Sequence, residues 1–131
     1  MNRIKRLLIG LVAVATLAAC ASMIGGAMAP YTKVNDGMLV GSNNMTLYTF
    51  DKDTAGSGKS ACNGPCAANW PPLLVDSGAA VSGDYSVITR DDGKKQLAYK
   101  GMPLYFWVKD IKPGDKTGDG FLNGAWHIVK M

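Results

Sequence analysis

Glutamate is absent from this sequence, and all ten acidic residues are aspartate. A pair of glutamates for acid–base chemistry is therefore excluded. Aspartate favours turns and caps, whereas glutamate favours helix interiors. There is one histidine, His127, which excludes a histidine-rich metal site. No glycine-rich phosphate loop, serine nucleophile elbow or zinc motif is present. No apolar run reaches the roughly 20 residues that a membrane-spanning helix needs. After the first 19 residues no stretch shows a helical period. With 16 Gly and 6 Pro, the composition points instead to strands and loops.

The longest apolar stretch, Leu7 to Ala19, follows Arg3, Lys5 and Arg6 and ends in Leu17-Ala18-Ala19-Cys20. A positive start, a short apolar run and small residues before a cut form the layout of an export signal. An A-x-A site at Ala27-Met28-Ala29 competes with it, but Pro30 would follow that cut. The LAAC stretch resembles the lipobox of bacterial lipoproteins. That resemblance implies cleavage before Cys20 and diacylglyceryl lipid on its thiol, with further acylation such as palmitate. Two or three acyl chains hold a protein stably at a membrane. Ala21, rather than aspartate, follows the cysteine, which favours the outer membrane in a cell that has one.

Removal of residues 1–19 takes Lys+Arg from 14 to 11 against ten aspartates, a net charge of +1. The basic balance of the precursor belongs largely to the leader, so nucleic acid is not expected as a partner. Residues 20–36 mix Gly, Ala, Met and Pro without a period and are read as a tether. Residues 37–131 then form one small domain. Strand candidates are 37–42, 45–50, 85–90, 95–100, 101–108 and 125–130. Asn43-Asn44 and Asp91-Asp92-Gly93-Lys94 carry turn signals. Two long Gly/Pro-rich loops, 51–72 and 109–120, separate the strands.

The chain repeats itself. Leu47-Tyr48-Thr49-Phe50-Asp51-Lys52-Asp53 matches Leu104-Tyr105-Phe106-Trp107-Val108-Lys109-Asp110. Each copy continues through a loop to Asn-Gly and a tryptophan: Asn63-Gly64 with Trp70, and Asn123-Gly124 with Trp126. The copies span about 45–73 and 102–127. The expected architecture is all-β, a small antiparallel domain built from two related β units that share one core. The motif residues Tyr48, Phe50, Asp53, Tyr105, Trp107 and Asp110 resemble those of the bacterial "secreted repeat" lipoproteins. So do C-x-x-x-C-A-x-x-W-P-P-L from Cys62 to Leu73 and Y-K-G-x-P-L-Y from Tyr99 to Tyr105. The resemblance implies export and a cell-envelope location. It implies no particular activity.

Cys62 and Cys66 flank an Asn-Gly-Pro turn. In an exported protein such a pair suits a disulfide that orders the long loop. Two other readings remain open. Two thiolates with His127 could hold Cu(I), since soft sulfur ligands select it, or the pair could be redox-active. His127 itself reads as a strand residue with a satisfied ring. Asp110, Asp115 and Asp119 lie near glycines, but Lys112 and Lys116 intervene and the spacing does not fit a calcium loop. Asp53 and Asp110 suit loop capping through backbone N–H groups. Most of the aromatic side chains are expected in the core; in Leu104-Tyr105-Phe106-Trp107 both faces are aromatic, and an exposed face there, marking a partner site, is the alternative reading. No catalytic constellation assembles. The function expected is that of a non-enzymatic envelope lipoprotein binding an unknown envelope component. A copper or thiol-redox accessory role is the alternative.

Overall fold

A computed structural model describes residues 31–131. The leader 1–19, Cys20 and the first part of the tether lie outside the described residues. Folded structure starts earlier than residue 37. Thr32–Asn35 forms β1 and pairs antiparallel with β2, Met38–Gly41. The turn between them is Asp36-Gly37, both at positive φ, the geometry that an Asp-Gly pair favours in a two-residue hairpin. β1 is largely exposed, while β2 is buried along its length.

β3 spans Tyr48–Phe50. The Cys62–Cys66 loop then holds a short helix, α1, at Pro65–Asn69, with Pro at its first turn. β4, Tyr85–Thr89, and β5, Lys95–Tyr99, form the hairpin whose turn contains Gly93 at φ 86°. β6 is only Met102–Pro103, an edge strand, the sheet position that suits proline. A second short turn, α2, covers Phe121–Gly124, with Leu122 and Asn123 in the left-handed region, and β7 is Trp126–Ile128. Helices of four and five residues are too short to show a 3.6-residue period, so the sequence gives no sign of them.

The described residues form three small antiparallel sheets, β1-β2, β3-β7 and β4-β5-β6. Their connections exchange partners between the two units. β3 of the first unit pairs with β7 of the second. The 104–108 segment of the second runs beside 69–73 of the first: Leu73, Phe106 and Val108 donate their N–H groups to Leu104, Pro71 and Asn69. The tails are exchanged too. Leu39 and Met131 N–H groups bond Val129 and Gly37 carbonyls, while Val75 and Leu97 N–H groups bond Lys95 and Leu73 carbonyls. Each unit's tail thus lines the other unit's hairpin. Of the three sheets, β3-β7 joins the two units, while β1-β2 and β4-β5-β6 each lie within one.

Two cores result. Leu39, Leu47, Leu73, Leu97 and Leu104 make an aliphatic cluster. Tyr48, Phe50, Cys62, Trp70, Tyr105, Trp107 and Trp126 make an aromatic one. The extended 104–107 segment runs between them. Leu104 and Phe106 meet the aliphatic cluster, and Tyr105 and Trp107 the aromatic one. These aromatic side chains therefore belong to the core, as expected of most of the set, and the alternative of an exposed face is not found here: a segment between two cores is covered on both sides, which produces an unbroken apolar run. The exposed apolar side chains lie just beyond it. Val108, Ile111, Phe121 and Leu122 are four of the seven large ones exposed among the described residues.

Candidate functional site

The repeated tyrosines meet at the centre of the fold. Tyr48 and Tyr105 exchange backbone hydrogen bonds, 2.8 Å from Tyr48 N to Tyr105 O and 3.0 Å in the reverse direction. Both are fully buried. Each must therefore place its hydroxyl on a partner, since an unpaired buried polar group costs about 1–3 kcal/mol. Each finds it in the other copy of the motif. Tyr48 Oη donates to Asp110 Oδ2 at 2.6 Å, and Tyr105 Oη donates to Asp53 Oδ2 at 2.7 Å. The two bonds cross.

The carboxylates use their second oxygens to fix the following loops. Asp53 Oδ1 accepts the Ala61 N–H at 2.6 Å. Asp110 Oδ1 accepts the Thr117 N–H at 2.9 Å and the Thr117 hydroxyl at 2.7 Å. The phenols also accept. Tyr48 Oη takes the Gly118 N–H at 3.1 Å. Tyr105 has given its one proton to Asp53, so the 2.6 Å contact with Ser60 is donated by Ser60 Oγ. Both phenols are held well above the ordinary tyrosine pKa, by burial first and then by the adjoining carboxylates. Burial also raises the Asp53 carboxyl, opposed by the Ala61 N–H, the Tyr105 hydroxyl and the Arg90 guanidinium. Asp115 is different. It caps an exposed turn, and the Ile111 N–H, the Lys112 ammonium and the Lys112 N–H lower it to about 2.

Arg90 breaks the symmetry of the two ends. It is 4% exposed and reaches Ser60 Oγ, Gln96 Oε1 and Cys62 O at 3.0, 2.8 and 2.6 Å, with Asn63 Oδ1 at 3.2 Å. Gln96, also buried, donates in turn to Leu104 O at 2.7 Å. The first loop is thus clamped by an arginine from the second unit. Ser60, Arg90 and Gln96 carry no signal in the sequence, because isolated polar residues read as surface.

Around the hydroxyl pairs lies a stack of rings. Phe50, Trp126, Trp70 and Trp107 follow one another at centroid spacings of 4.1, 3.7 and 4.0 Å. Tyr48 and Tyr105 stand edge-on to Trp70 and Trp126, each at 5.2 Å. Gly118 lies against Trp70 and Trp107, and a Cβ there would come within 2.6 Å of the Trp70 ring.

Cys62 and Cys66 are joined in a disulfide, their Cα atoms 5.2 Å apart. Cys62 is buried in the aromatic core and Cys66 packs against it. Both sulfurs are committed to one another, so neither is a thiolate able to hold Cu(I). His127 lies on the exposed edge of β7, where its Nε2 is 2.9 Å from Asp51 Oδ2. Among the described residues no three His, Cys, Asp or Glu side chains converge as metal ligands.

The comparisons with known proteins find the same two repeats along the chain. Residues 32–74 and 86–130, together about two thirds of the chain, each match a family model described as a secreted repeat of unknown function. The matched segments include each unit's hairpin and tail, and so reach beyond the motif core at 45–73 and 102–127. No match was found among curated proteins or among solved structures. With two copies of that repeat, exchanging strands and locked by reciprocal Tyr–Asp bonds, the chain belongs to the secreted repeat family.

Proposed function

We propose that the protein is a lipid-anchored module of the cell envelope that binds another envelope component and performs no catalysis. The supporting observation is the use the fold makes of its motif. The polar groups that recur in both units, two phenols and two carboxylates, are buried and bonded to one another and to loop N–H groups. They fasten two loops to a rigid centre, as a binding platform requires. The loop from Val108 to Leu122 offers the largest concentration of exposed apolar side chains for a partner, with Ile111 at 85% exposure. The anchor in this reading is acylated Cys20, on the outer membrane where a cell has two. The oxidised pair Cys62–Cys66 gives no support to the copper or thiol-redox alternative.

The test is made on the full chain produced in a bacterial host. Mass spectrometry of the mature protein is expected to show an acylated Cys20, and Cys20→Ala is expected to lose membrane association. A photo-crosslinking residue at position 111 is expected to capture one envelope component that the same residue at Val34 does not. An unmodified amino terminus at Pro30 would overturn the anchor. Identical capture profiles at the two positions would overturn the binding face.

A further inference from the structure

All three tryptophans of the chain stand in one stack. The middle pair, Trp70 and Trp126, is parallel to within 1° at 3.7 Å. Overlap of this kind spreads a missing electron over neighbouring indoles. The two ends of the stack differ. Trp107, 6% exposed and flanked by the exposed Phe121, is an oxidisable indole at the outer end. Phe50 closes the opposite end with a benzene ring, which is much harder to oxidise. Each inner indole has one tyrosine on its edge, and each of those tyrosines already points its proton at a carboxylate.

We propose that this core is a relay for oxidising equivalents, which enter at Trp107, pass through Trp70 and Trp126, and come to rest on Tyr48 or Tyr105. The oxidant is a diffusible one-electron radical. It takes an electron from the Trp107 indole and leaves as its reduced anion. Electron transfer from the next indole refills each ring in turn. In the last step one electron leaves the phenol of Tyr48 for the Trp70 radical cation and restores neutral tryptophan. The phenolic proton crosses the 2.6 Å bond to the Asp110 carboxylate. The products are a neutral phenoxyl radical and a neutral carboxylic acid. Tyr105 and Asp53 perform the same step from Trp126.

The direction follows from burial. A radical cation and a carboxylate in the same dry core are both costly. Transfer of the proton along the existing hydrogen bond removes both charges together. The acceptor also lies within the range that proton transfer requires, about 2.6–3.2 Å between heavy atoms. A tyrosine without a buried carboxylate lacks this exit for its proton.

Pulse radiolysis of the purified full chain with azide radical, a one-electron oxidant of indoles, tests the relay. Tryptophanyl absorbance is expected to decay into tyrosyl absorbance in a first-order step that is independent of protein concentration and slower in D2O. The triple variant Tyr31→Phe, Tyr85→Phe, Tyr99→Phe leaves only the two core tyrosines and is expected to keep the tyrosyl signal. Trp107→Phe preserves the ring stack and is expected to lose most of it. Loss of the tyrosyl signal in the triple variant, a transfer rate that scales with protein concentration, or an undiminished yield in Trp107→Phe would each overturn the proposal.

Discussion

Changing Tyr48 to phenylalanine removes a single oxygen atom and, with it, two hydrogen bonds that join the units. Asp110 loses its 2.6 Å phenolic donor but keeps Thr117 N and Oγ1. The Gly118 N–H loses its acceptor inside the core. A hydrogen bond to a charged group contributes about 1.5–3 kcal/mol, and an orphaned buried donor adds about 1–3 kcal/mol, so the combined loss is about 2.5–6 kcal/mol. In a domain of this size that lowers Tm by on the order of 10–25 °C. A double-mutant cycle in urea isolates the crossing. Tyr48→Phe with Asp110→Ala is expected to show a coupling of about 1.5–3 kcal/mol. Tyr48→Phe with Asp53→Ala shares no bond and is expected to be additive within about 0.5 kcal/mol. Coupling of Tyr48 to Asp53 in place of Asp110 would refute the reasoning, because each motif would then be closed on itself.

Three further outcomes follow from the same network. Replacing Cys62 and Cys66 together by serine opens a ring of five residues, which the chain-entropy account values at about 2 kcal/mol; equilibrium unfolding with and without reductant measures it. Arg90→Met strips the donor from Cys62 O, Ser60 Oγ and Gln96 Oε1 and is expected to cost about 3 kcal/mol or more, with hydrogen exchange rising first in residues 60–63. At alkaline pH the raised phenols favour the folded, protonated state. That contribution is complete below the ordinary tyrosine value of about 10 and is lost as pH rises past it. Tyr48 and Tyr105 are therefore expected to ionise together with unfolding, and Tyr48→Phe is expected to remove one phenolate equivalent from that step in an ultraviolet titration.

The sequence makes the two units legible, because Leu-Tyr-x-[Phe/Trp] recurs with its loop and tryptophan. It also marks the Asp91-Asp92-Gly93 hairpin and the cysteine pair. The Asp36-Gly37 pair carries an equal hairpin signal, yet the Gly- and Ala-rich residues before it make 20–36 look like one tether. Partner choice is what linear order conceals. Tyr48 is five residues from Asp53, and nothing local indicates that its proton goes to Asp110, 62 residues away. An exchange of strands depends on how two half-formed sheets dock, and that is decided by the joint burial of both cores. The same docking buries Arg90, Gln96 and Ser60, whose surroundings come from distant parts of the chain. It likewise makes 104–107 a segment apolar on both faces, where a surface strand would alternate.

The most direct measurement is NMR of the phenolic protons of Tyr48 and Tyr105 in the folded chain. Buried hydroxyls bonded to carboxylates exchange slowly enough to be seen. The Tyr48 hydroxyl is expected to show NOEs to the Thr117 and Gly118 amides, and the Tyr105 hydroxyl to the Ala61 amide and Ser60. The opposite assignment, Tyr48 to Ala61 and Tyr105 to Thr117, would contradict the crossed arrangement on which this account of the fold stands.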